Sequence, residues 1–126
     1  MDHGTDSADR LTLIEAPIRN PPARILLLRG TVNWWDETAL RTALTRASTA
    51  GDLPLIVDVG SIEHADAVLL GLLLHAHIRT RLHLVGPLSR SLNRRLDVTG
   101  TRSAFRIHPH LTAALTAITA ADAPGG

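Results

Sequence analysis

Two short stretches carry the side chains whose types and spacing could do chemistry: Asn33-Trp34-Trp35-Asp36 and Glu63-His64-Ala65-Asp66-Ala67. Each lies between a short apolar run and a segment with helical spacing, the sequence context of a loop leaving the carboxyl end of a strand and entering a helix. In open α/β sheets such loops are where ligands and reactive groups collect. Glu63, His64 and Asp66 have the makings of an acid–base cluster. No serine, cysteine or lysine lies among residues 62–67 as nucleophile, so no catalytic residue is assigned and the chain is read as a non-enzyme.

A hydroxyl placed directly after Asp66, at the positive start of a helix, would be well posed to carry a phosphate. That position is Ala67, and no serine or threonine occurs between Ile62 and Arg79. A methyl group cannot form a phosphoester. Trp34 and Trp35 are two of only three aromatic residues, the third being Phe105. Neighbouring side chains point apart, so one tryptophan is expected beneath the loop, filling a core short of large residues, and the other in solvent as an interface anchor.

The remaining polar residues suggest less. Seven histidines are present, yet His75 and His77 face different sides of a helix and His108-Pro109-His110 fits no common zinc spacing, so no metal and no cofactor is expected. All thirteen basic residues are arginine. Seven lie between Arg79 and Arg106 against the single acid Asp97, a net +6 there and −5 in the remainder. One end of the molecule is therefore expected to be basic. Without lysine, an aromatic stacking platform or a DNA-binding motif, direct contact with nucleic acid is not expected.

The elements that must position the two stretches follow from patterning. Leu11 to Ile18 reads as a first strand, closed by Asn20-Pro21-Pro22, and Arg24 to Gly30 as a second, buried on both faces. Asp36 caps a helix with Leu40, Ala43, Leu44 and Ala47 inward, stopped by Gly51. Leu55 to Val59 is the next strand and Gly60 to Ala65 a loop, with Asp58 bonding loop amides. Asp66 caps a helix from Ala67 to about Thr80, apolar nearly all round and so the most buried of the set. Leu82 to Val85 is a strand ended by Gly86-Pro87. Ser89 or Ser91 starts a helix with Leu92, Leu96 and Val98 or Thr99 inward, ended by Gly100. Phe105 to Ile107 is a last strand and Leu111 to Ala121 a last helix. This order predicts a single α/β domain over residues 11–121, with a mixed, mostly parallel sheet of four to five strands and about four helices, between tails at 1–10 and 122–126.

Composition sets the class. With 126 residues, 44% hydrophobic and 20% charged, the chain suits one globular core. The absence of cysteine excludes a disulfide scaffold and a thiolate metal site. No apolar run approaches the roughly 20 residues that span a bilayer, and Met1 to Asp9 has no signal-peptide pattern, so a cytoplasmic address without membrane insertion is expected.

Four stretches together resemble the STAS domain family of bacterial anti-sigma factor antagonists. They are Leu28-Arg29-Gly30-Thr31-Val32-Asn33 with Leu40-Arg41; Ile56-Val57-Asp58-Val59; His64-Ala65-Asp66-Ala67-Val68-Leu69-Leu70-Gly71; and Leu82 to Pro87 continued by Leu92 to Gly100. The likeness covers about residues 11–119. It implies a STAS fold and a docking surface for an anti-sigma factor or a related ATPase of kinase fold, formed by Asn33, Trp34, Trp35, Asp36, His64, Asp66, Ala67, Val68 and Leu69. In regulated members the partner phosphorylates the serine matching Ala67, so the resemblance implies a phosphoacceptor lost here. Asn33 stands where the family commonly has Asp, and Val68 and Leu69 where a small residue and a glycine are usual. The same resemblance fits two other roles: a structural STAS subunit of a larger assembly, such as a lipid-transporting ABC system or a stress-signalling scaffold, and a small-ligand-binding STAS domain. Oligomeric state is open.

Overall fold

The computed structural model describes residues 10–49, 52–65 and 67–122. Strand β1 (Thr12–Arg19) pairs antiparallel with β2 (Pro22–Val32); β3 (Leu55–Ala65), β4 (Leu82–Val85) and β5 (Arg106–His108) then add in parallel, giving the order β1-β2-β3-β4-β5. Helices α1 (Glu37–Ser48), α2 (Ala67–Arg79), α3 (Arg90–Thr99) and α4 (Leu111–Asp122) pack on this sheet, so that the mixed, mostly parallel sheet of four to five strands with about four helices expected from the sequence has five strands. The terminal tails and Gly51 lie outside the described residues, apart from Arg10 and Asp122.

Alternation along the strands divides the interior between the two sheet faces. Leu26, Leu28, Leu55, Val57, Leu82 and Leu84 meet α1, α2 and α3 in the larger core. Ile56 and Val85, with Ala23, meet Ala114 and Ile118 of α4 on the other face.

Three local expectations fail for identifiable reasons. Pro22 begins β2 instead of closing the turn, and β2 runs past Gly30 to Val32 while β3 runs through the expected Gly60–Ala65 loop. The two extensions pair with each other, Gly30 opposite Ile62, Thr31 opposite His64 and Val32 opposite Ala65, so each supplies the other's backbone partners. Register shifts interrupt this pairing next to Gly30, whose φ of 97° is open to glycine and strained for other residues. In the helices, Val98 and Thr99, one or the other expected inward, are both exposed, as is Ile78 of the helix expected to be apolar nearly all round. The helix α2 buries five residues (Leu69, Leu70, Leu72, Leu73 and Ala76), as many as α1, because only one stripe of it faces the sheet.

Helix α3 forms as its sequence requires. Leu92 and Leu96 are inward, Gly100 ends it in the left-handed conformation, and the Ser89 hydroxyl accepts from the Leu92 amide at 3.2 Å. Ser89→Ala should cost about 1 kcal/mol of stability, read as a lower urea midpoint at unchanged slope.

Candidate functional site

The pairing of Val32 with Ala65 brings the exits of β2 and β3 together at one end of the sheet. From there the chain enters α1 through a single 3-10 turn (Trp34–Asp36), and α2 begins at Ala67. The segments that follow β2 and β3 thus leave the sheet at the same end. Asp66 lies outside the described residues, so its expected capping role has no structural account here.

Asp36 does not cap α1 with its side chain. Its carboxylate reaches back to accept from the Asn33 amide at 2.9 Å, while the Asp36 amide donates to the Asn33 carbonyl at 3.0 Å. This closed turn holds the tryptophans in place. Both are exposed, Trp34 at 69% and Trp35 at 64%, and their rings meet edge to face with centroids 5.7 Å apart. The expectation that one would pack under the loop is therefore overturned. The core is filled mainly by leucine, isoleucine, valine and alanine with Phe105, and the two indoles pack on each other.

On the neighbouring element Ala67 and His64 are exposed and Val68 is half-buried. Leu69 is fully buried in the larger core, so it supports the surface from beneath and does not present to solvent. Between α1 and α2 runs an open groove of about 450 Å³ lined by Val68, Gly71, Leu72 and His75 with Glu37 and Arg41. Glu37 and Arg41 form an ion pair one turn apart. A Cβ at Gly71 would meet nothing within 4 Å, so the groove floor is open there.

One hydroxyl does approach this end of the sheet, from an element that sequence spacing does not connect to it. Ser91 of α3 accepts from the Ala65 amide at 3.0 Å and lies 3.2 Å from the Ser89 hydroxyl. Its oxygen is committed to holding the end of β3. Asp58 binds an amide as expected, accepting from Gly60 at 2.9 Å, though within the extended strand. A Cβ at Gly60 would lie 2.7 Å from the Gly86 carbonyl oxygen, so the backbones approach too closely there for a side chain.

The histidines hold one arrangement that their spacing hides. His83 of β4 and His108 of β5 stack with centroids 5.2 Å apart and share a hydrogen bond, Nδ1 to Nε2, of 3.0 Å. His83 is buried. Burial first, then His108, Arg106 and Arg81, lower its pKa to about 4; burial and Arg106 lower that of His108. Among the described residues no group of three or more His, Cys, Asp or Glu is placed to hold a metal ion, and no helix is long and apolar enough to cross a membrane.

Compared by sequence, the chain matches no family model and no curated protein. Compared by structure, it is similar to an anti-sigma factor antagonist from Mycobacterium paratuberculosis, with a TM-score of 0.77 at 21% identity over 87% of this chain and 95% of that one. It is also similar to the anti-sigma factor antagonist SpoIIAA in its unphosphorylated form, with a TM-score of 0.66 at 14% identity over 88% of this chain and 97% of that one. The chain therefore has the STAS-like α/β fold that these anti-sigma factor antagonists share.

Proposed function

We propose that this chain is a non-catalytic protein–protein interaction module of the cytoplasm that acts as an anti-sigma factor antagonist. Its partner is an anti-sigma factor, or a related ATPase of kinase fold. The observation that carries the reading is the pair of exposed tryptophans beside the exposed start of α2. Two indoles held in solvent by a closed turn leave much apolar surface in water, and such side chains are the usual anchors of protein interfaces. The docking surface comprises Asn33, Trp34, Trp35, Asp36, His64, Asp66, Ala67 and Val68. Because Ala67 has no hydroxyl, association is not gated by a phosphate at that position.

Affinity capture followed by mass spectrometry tests the partner's class. Recovery of an anti-sigma factor supports the reading, and recovery of a transport ATPase supports the structural-subunit role instead. With the captured partner in hand, Trp34→Ala and Trp35→Ala together should weaken binding by about 2 kcal/mol or more, about 30-fold, with little change in melting temperature. Intact mass after incubation with partner and ATP should show no phosphate on residues 60–70. Stoichiometric phosphate in that segment would refute the ungated reading.

A further inference from the structure

Strand β1 is one edge of the sheet, and the backbone on its outer side is open. The Arg24 amide donates to the Pro54 carbonyl at 3.1 Å, so Arg24 turns its backbone groups toward β3 and, by alternation, the odd-numbered residues of β2 turn theirs toward β1. Those odd residues stand opposite Thr12, Ile14, Ala16 and Ile18, which therefore bond β2. Leu13, Glu15, Pro17 and Arg19 direct their backbone groups outward, where they have no partner among the described residues. Pro17 thus takes the one side of an edge strand on which a missing N–H costs the existing ladder nothing.

This edge is long, regular and self-complementary. Its eight residues pair with β2 without a register shift, whereas β5 at the opposite edge has only three. Edge strands that stay single are commonly guarded by lysine or a bulge, and β1 has neither. A two-fold axis through the sheet at Ala16 sets a second β1 antiparallel to the first, with Leu13 opposite Arg19, Ile14 opposite Ile18 and Glu15 opposite Pro17. The amides of Leu13, Glu15 and Arg19 then all meet carbonyls of the second copy, and opposed side chains share a face. An axis at Glu15 instead would set like charges directly opposite each other.

Both faces favour this register. Leu13 packs against the larger core and Ile18 against the smaller, so Ile14, Ala16 and Ile18 lie on α4's side of the sheet. Ile14 is 49% exposed there, and its neighbour across the ladder, Leu27, is half-buried outside both cores. Ile18 of the second copy would cover Ile14. On the other side Arg19 is exposed, with no ion pair or hydrogen bond among the described residues. It comes diagonally across from Glu15 of the second copy, a carboxylate that accepts from Arg24 at 2.7 Å.

We propose that two copies of this chain join through β1 in this register, making one continuous sheet from two. The strands of the copies run in opposite directions, so the two tryptophan turns lie at opposite ends of the joined sheet and neither is covered by the other copy.

Sedimentation equilibrium between about 5 and about 500 µM, a range suited to a weak interface of modest area, is the test. A monomer–dimer equilibrium is expected. Ile14→Lys should raise its Kd about tenfold or more and Arg19→Glu about fivefold, with the melting temperature of the dilute protein little changed at these exposed positions. Amide exchange at high concentration reads the register: Leu13, Glu15 and Arg19 should slow on dimerisation, while Ile14, Ala16 and Ile18, already bonded to β2, should not. The double tryptophan variant should dimerise as the parent does, so this interface and the proposed docking surface are tested separately. A monomer at every concentration, a dimer indifferent to both edge substitutions, or a dimer lost with the tryptophans would each overturn the proposal.

Discussion

Leu69→Ala should lower the unfolding free energy by about 3–4 kcal/mol, a large share of the stability of a domain this size. Leu69 is fully buried in the core formed by α1, α2, α3 and the sheet, so truncation removes its apolar contacts and leaves a cavity beneath the start of α2. Its place two residues after Ala67 makes it look like a surface residue of the docking site. The helix turns it inward. Ile78→Ala, on the same helix but 78% exposed, should change stability by less than about 0.5 kcal/mol. Urea unfolding of both variants checks the pair. Equal effects would mean that α2 is rotated from the orientation described.

Stability should also fall steeply between pH 6.5 and 4. Above pH 6.5 His83 is neutral in both states, and its low folded pKa makes no difference. As pH falls through this window the unfolded chain binds a proton at the ordinary histidine pKa of 6.5, whereas the folded chain resists protonation down to about 4. The loss reaches about 3 kcal/mol by pH 4 and then levels. His108, lowered by burial and Arg106, contributes in the same direction. Urea midpoints measured from pH 7 to pH 4 should show this slope, and His83→Phe should flatten it because the ring remains while its titration is gone. A slope unchanged in that variant would assign the acid sensitivity to other groups.

Most of the fold was legible because its signals are local. Apolar runs marked the three inner strands β2, β3 and β4, the Ser89 cap and Gly100 bounded α3, and Leu40, Ala43, Leu44 and Ala47 marked the inner face of α1. What could not be read depends on pairing between distant segments. Gly60 to Ala65 looks like a loop because its alternation is weak, yet Gly30, Thr31 and Val32 supply a neighbouring strand. The contact of Ser91 with the Ala65 amide and of His83 with His108 join residues 26 and 25 positions apart, which no periodicity records. At the candidate site the sequence placed Asn33 to Asp36 and Ala67 after strands, and the pairing of those strands brings both segments to one end of the sheet. The orientation of Trp34 and Trp35 did not follow, because it depends on the Asp36 carboxylate closing the turn on the Asn33 amide.

The central claim is that a protein partner covers the tryptophan turn and the first turns of α2. Hydrogen–deuterium exchange of the captured complex against the free protein measures this directly. Slowed exchange should appear in residues 33–38 and 67–72, with the α4 face unchanged. Protection confined to α4 or to the β1 edge, with the tryptophan turn exchanging as in the free chain, would contradict the account.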